Sequence, residues 1–131
     1  MAEMSNFLEN ALINATLRNT TYTSPATVYV SLWTSDPTDT GTTGTEVSTS
    51  GTGYARTAVT MGAPSNGVSL NTAAVEFAQA TASYGTVGWI GINDAVTAGN
   101  LLYHSPLTTS KTIDTGDIFK IAIGSLSVTL S

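Results

Sequence analysis

The apolar residues at the start of the chain recur with the period of an amphipathic helix. Their spacing predicts one helix over residues 4–18, with an apolar stripe formed by Met4, Phe7, Leu8, Ala11, Leu12 and Ala15. Ile13 and Leu17 lie one turn apart on the opposite side, where packing against a single core leaves them in water. The pair is either a tolerated exposed pair or a contact for a second subunit or a partner.

After residue 20 the apolar period changes to two, which indicates β-strands. The first strand, residues 26–33, places Val30 and Leu32 on one face and the aromatic residues Tyr29 and Trp33 on the other. Seven more runs follow, separated by turn residues, at 54–61, 68–70, 74–78, 86–93, 101–107, 117–123 and 126–130. About eight short strands predict an all-β domain, a single jelly-roll-like β-sandwich over residues 26–131 that follows the N-terminal helix.

The inward positions of these strands predict the hydrophobic core. Its expected members are Val28, Val30, Leu32, Val59, Val75, Phe77, Ile90, Ile92, Leu102, Ile121, Ile123 and Val128. With 131 residues, the chain fits one domain, 1–131.

A long connection at about 35–53 separates the first two strands and carries Asp36, Asp39 and Glu46. Each of the two aspartates coincides with a turn signal, where the side chain binds its own backbone. The segment lacks the alternating acids of a calcium-binding loop, and its Gly-x-Gly precedes a strand instead of a helix, so we expect no metal or phosphate site. Loops of this length are commonly functional, and contact with a neighbouring subunit is the function we expect.

Composition restricts the partners. The net charge of −5 offers no match to nucleic acid or to an anionic membrane, and no apolar run has the length of a membrane span. Acidic residues near the N-terminus do not fit an export signal, so we expect synthesis in the cytoplasm. Only 10% of residues are charged, against roughly 25% in an ordinary domain, while Ser and Thr number 38. Such a surface favours association between subunits.

The candidates for catalysis are few. His104 is the only histidine and there is no cysteine, so the chain has one residue of the types that form Cys and His clusters at zinc, and no thiol chemistry. No nucleophile elbow accompanies His104, so we interpret it as a structural or surface residue. We expect no enzyme activity and no cofactor.

Several short motifs, in order, carry a resemblance that covers nearly the whole chain. They are residues 28–39 (VYVSLWTSDPTD), 44–47 (GTEV), 53–56 (GYAR), 85–87 (GTV) and 99–103 (GNLLY). Together they resemble a family of small virion proteins of tailed bacteriophages, whose members are usually labelled tail fibre proteins.

The resemblance implies a non-enzymatic structural component of a phage particle. The chain lacks the repeats of a fibre shaft, so we expect a capsid decoration protein that binds the major capsid protein and stabilises the head. The alternative is a tail fibre or receptor-binding component. By analogy with decoration proteins we expect a homotrimer, with partner contacts drawn from Ile13, Leu17, Tyr29, Trp33, Asp36, Asp39 and Glu46.

Overall fold

A five-stranded antiparallel sheet forms the larger layer of the molecule, which a computed structural model describes for residues 2–130. The elements, in chain order, are β1 (Glu3–Met4), α1 (Asn6–Leu17), β2 (Val28–Trp33), β3 (Thr57–Val59), β4 (Val68–Leu70), β5 (Val75–Glu76), β6 (Gly85–Asn93), β7 (Leu101–Ile113), β8 (Lys120–Ile121) and β9 (Ser127–Thr129). The order in the sheet is β1-β7-β6-β2-β3, and β4-β9 and β5-β8 form two separate two-stranded ribbons.

The predicted all-β fold with an N-terminal helix is confirmed. Each of the eight predicted strands overlaps an observed strand, and β1 is the one that the pattern missed. All the pairings are antiparallel. The core cluster joins residues of β2, β3 and β6 to residues of β5 and β9, so the ribbons cover one face of the large sheet.

Ser5 caps the N-terminus of helix α1, and a residue with a left-handed backbone conformation follows its C-terminus. The Ser5 hydroxyl accepts a hydrogen bond from the Leu8 N–H at 3.2 Å, and Asn19 has φ 53° just beyond the end. The predicted apolar stripe is not buried along its whole length. Leu8 is the only buried residue of the helix, and Phe7 is 41% exposed. With 12 residues, α1 is too short to cross a membrane, and residues 2–130 contain no other helix.

Most of the predicted core is buried. Eight of the twelve expected positions are buried, and Val28, Ile90 and Ile121 pack against the core from half-buried positions. Ile123 is a wrong prediction: β8 ends at Ile121, so the alternation does not continue, and the side chain is 67% exposed in the following turn.

Three aromatic residues that the pattern did not assign to the core, Tyr54, Tyr84 and Phe119, belong to it together with the predicted Phe77. Tyr54 stacks on Phe77 with ring centroids 6.1 Å apart and meets Tyr84 edge-on at 5.7 Å. Phe119 in turn meets Phe77 edge-on at 5.7 Å. Rings at these distances add attraction beyond the area that they bury.

Gly91 allows close packing on β6, the central strand of the large sheet. A Cβ atom there would lie 2.7 Å from both Leu101 Cδ1 and Ser31 Oγ, and 3.1 Å from Trp33 Nε1. These separations are shorter than van der Waals contact, so only glycine lets the three neighbours keep their positions.

Gly91→Ala should lower the free energy of unfolding by about 1–3 kcal/mol, because the added methyl group overpacks a filled site. Gly88→Ala is the matched control on the same strand, since a Cβ at Gly88 would meet only Ser110 Oγ, at 3.4 Å. Urea unfolding of both variants measures the difference. Equal stability of the two would contradict the assigned packing.

Candidate functional site

The connection between β2 and β3, residues 34–56, is held at several points along its length. Its backbone pairs with β2 through the Val47 N–H and the Leu32 carbonyl at 2.9 Å, and Val47 itself is buried. Gly44 lies against the preceding turn, where a Cβ would be 2.5 Å from the Asp36 carbonyl oxygen. The loop is therefore an anchored part of the domain rather than a loose excursion.

Glu46 is the centre of a polar network inside this loop. Its carboxylate accepts two hydrogen bonds from the Arg56 guanidinium, both at 2.9 Å, and one from the Tyr54 hydroxyl at 2.6 Å. The Tyr54 oxygen accepts the Leu32 N–H at 3.0 Å. Arg56 Nη1 donates to the Ala95 carbonyl at 3.0 Å as well as to that of Ala98, so the network ties the loop to the turn after β6.

Burial, the hydrogen bond to Glu46 and the charge of that carboxylate together raise the pKa of the Tyr54 hydroxyl far above its ordinary 10.0. The hydrogen bonds from Arg56 to Glu46 likewise raise the pKa of Arg56. Both shifts preserve the protonation states that the network needs. Its chemistry is that of a structural tie, with two charges and a hydroxyl that satisfy one another.

The structure places three of the expected partner contacts inside the chain's own packing. Trp33 is only 5% exposed and donates its indole N–H to the Ser31 hydroxyl at 2.8 Å, so its expected role as a surface contact is corrected. The reason is that both faces of β2 are covered, since Ser31 to Trp33 are all buried. Tyr29 is half-buried, and Glu46 is engaged by Tyr54 and Arg56.

A second polar cluster surrounds His104 on β7. The imidazole is buried, at 5% exposure, and its Nε2 lies 2.8 Å from Asp39 Oδ1 and 3.9 Å from Glu3 Oε2. On the other side of the ring, Nδ1 lies 3.9 Å from Asp36 Oδ1. Three carboxylates from two separate segments of the chain thus converge on its one histidine.

Backbone pairing brings these residues together. Glu3 of β1 stands directly opposite His104 of β7, and the Asn6 N–H at the start of α1 donates to the Asp39 carbonyl at 2.9 Å. The sequence marked Asp36 and Asp39 as candidates but not Glu3. A lone histidine at a strand end carries no sequence signal that it faces acids about 65 and 100 residues earlier.

Of the residues that were expected to contact partners, the two aliphatic ones lie on the exposed side of α1. Ile13 is 53% exposed and Leu17 is 78% exposed. A shallow depression next to them is lined by the helix residues Phe7, Asn10, Ala11 and Asn14 and by the segment 20–23.

A small cavity lies along β6 and β7, lined by residues including Ile92, Tyr103, His104 and Leu107 and by Leu126. Its volume is about 210 Å³. Sites for small organic ligands commonly occupy about 300–1,000 Å³. The cavity is thus below the size of a typical cofactor or substrate site.

The described residues present two polar clusters and a helix whose outer side exposes Ile13 and Leu17. The class of phage structural proteins follows from the family match. The chain belongs to the family of the podophage GP4 fiber I protein gp80, whose model matches residues 3–129.

The match confirms the resemblance to small phage virion proteins seen in the sequence. The chain is a phage structural protein of a fibre family. No curated protein matches it significantly.

Alkaline pH should weaken the fold through Tyr54. Because the pKa is higher in the folded chain than the ordinary 10.0, the stabilisation is complete below pH 10.0 and is lost as the pH rises above it. The free energy of unfolding, measured in urea at a series of pH values, should therefore fall above pH 10.0. Tyr54→Phe should be less stable at neutral pH but should lose less stability above pH 10.0; an equally steep loss in both proteins would contradict this origin.

Proposed function

We propose that this chain is a subunit of a phage fibre and that it works by non-covalent assembly with copies of itself through the exposed side of α1. The family match supports the fibre, and the exposure of α1 supports the assembly. The proposed mechanism involves no chemical step: each subunit binds its neighbours and so stabilises the assembled state by the free energy of binding.

The exposure of α1 is the observation that carries the assembly proposal. Isolated helices shorter than about 12–15 residues are marginal in water, and most helices in proteins depend on packing of an apolar face. α1 has 12 residues, yet Leu8 is its only buried residue. A second copy of the chain that covers Ile13 and Leu17 would supply the packing that this helix lacks.

Surface charge is consistent with contact between identical copies. Charged residues make up 10% of the chain, so identical copies can approach with little repulsion. Among the described residues near Leu17, the one basic residue is Arg18. Its guanidinium donates a hydrogen bond to Asn14 Oδ1 at 3.0 Å. A homotrimer, in which every copy uses the same pair of surfaces to contact its two neighbours around a threefold axis, is the assembly that we propose.

The description of the family as a fibre protein favours a place on a fibre over capsid decoration, which was the first expectation from the sequence. The domain lacks the repeats of a shaft, so we assign it to a globular segment of the fibre. There it would hold the fibre together or present a surface to the host.

Replacing Ile13 and Leu17 together with Glu should weaken self-association by at least about a hundredfold, since burial of each aliphatic side chain contributes about 1.5–3 kcal/mol. Analytical ultracentrifugation over a concentration series measures the mass, and circular dichroism verifies the fold. The matched control changes Ala15 and Thr16, which are exposed on the same helix, to Glu. An unchanged mass in the first variant, or a monomeric parent protein at all concentrations, would reject α1 as the contact.

Imaging of phage particles tests the location independently of assembly. Particles that carry a gold-labelled tag on this chain should show the label on fibres at low copy number. A uniform coat of label on the head would instead support capsid decoration.

A further inference from the structure

We propose that Glu3, Asp39 and His104 form a binding site for one divalent transition-metal cation of the zinc class. One possible ligand atom from each residue, with His104 Nε2 among them, lies within 4.8 Å of the others. The site would join β1, the long loop and β7 at a single point. The inference stands apart from the proposed fibre assembly, since it concerns the chain by itself.

The charge of the cluster is the first argument. Glu3, Asp36 and Asp39 surround one imidazole, and they are 71%, 52% and 50% exposed in their side chains. Among residues 2–130 the one ion pair of an arginine or lysine joins Arg56 to Glu46, so no basic side chain neutralises the cluster. A concentration of negative charge without a basic partner attracts a cation.

The two ring nitrogens of His104 provide an independent argument. A neutral imidazole has an N–H on one nitrogen and a lone pair on the other. Here Nε2 faces Asp39 and Nδ1 faces Asp36, so in either neutral form one lone pair points towards a carboxylate. Protonation of the ring would give both nitrogens an N–H, whereas a metal cation at Nε2 would bind the lone pair and the Asp39 oxygen together.

Asp36 has the position of a supporting residue for such a cation. Histidines that bind metals usually direct their other ring N–H to a carboxylate or carbonyl, which fixes the ring and increases its basicity. Asp36 Oδ1 lies on the required side of the ring, 3.9 Å from Nδ1, and it also accepts the Thr38 N–H at 2.9 Å. In the proposed site Asp36 is therefore placed to orient His104 rather than to bind the metal.

The donor set indicates the type of metal. Calcium and magnesium prefer oxygen ligands alone, whereas an imidazole with carboxylates suits zinc and its neighbours in the first transition row. Donors in a tetrahedral zinc site lie about 2.0–2.2 Å from the ion, which separates neighbouring donors by about 3.3–3.6 Å. The observed separations of 2.8 Å to Asp39 and 3.9 Å to Glu3 lie on either side of that range. The exposed Glu3 side chain is free to close the longer one.

Isothermal titration of the full chain with zinc chloride tests the site. We expect one zinc ion per chain. Glu3→Gln and Asp39→Asn each remove a ligand and should weaken binding by at least about a hundredfold, which is more than we expect from a change at the supporting residue Asp36. Asp36→Asn should weaken it by about 10–100-fold and keep the stoichiometry. Glu76→Gln, which changes an exposed acid on β5, is the matched control and should bind as the parent does.

The choice of variants avoids an ambiguous result. His104 is buried, so replacing it risks unfolding the chain, whereas Glu3, Asp36 and Asp39 are exposed. Absence of zinc binding by the parent protein would overturn the proposal. Binding that is unchanged in Glu3→Gln and Asp39→Asn would also overturn it and would assign the ion to adventitious carboxylates. Calcium chloride that binds as tightly as zinc chloride would reject the role of His104 as a ligand.

Discussion

The pairing of β6 with both β2 and β7 is the interaction on which the other parts of the molecule depend. These three strands form the middle of the large sheet, and Gly91 permits their side chains to pack closely at its centre. Each candidate surface is attached to them: β1 and α1 through β7, and the long loop through β2. A disturbance at Gly91 would therefore reach both polar clusters.

Two polar clusters perform different tasks on the same loop. Around Glu46, one arginine and one tyrosine satisfy the carboxylate, and the result is a closed tie between the loop and the turn after β6. Around His104 the carboxylates outnumber the cationic partners, which leaves charge to be neutralised by something else. One loop thus combines a completed network with an uncompensated one.

The sequence predicted the strands well because alternation is a local property, and all eight predicted runs overlap strands. It predicted contacts less well. The period of α1 showed which residues are apolar, but it could not show that Leu8 alone is fully buried while Ala11 and Leu12 are half-buried. The burial of Trp33 and the pairing of Glu3 with His104 depend on strand neighbours far apart in sequence.

The same limit explains why the metal site was not expected from the sequence. The sequence places Asp36, Asp39 and Glu46 in one loop, and the structure directs Glu46 to Arg56 instead. The third carboxylate comes from a strand of two residues, which is too short to produce any periodic signal.

The outer edge of β7 has a consequence for the single chain. Between Pro106 and Lys111, five residue steps on β7 lie opposite two steps on β6, from Val87 to Trp89, so the strand bulges there. A proline without an N–H, a bulge and a charged lysine are the devices by which edge strands resist pairing with other edges. These features disfavour pairing of this edge with the strand edge of another chain.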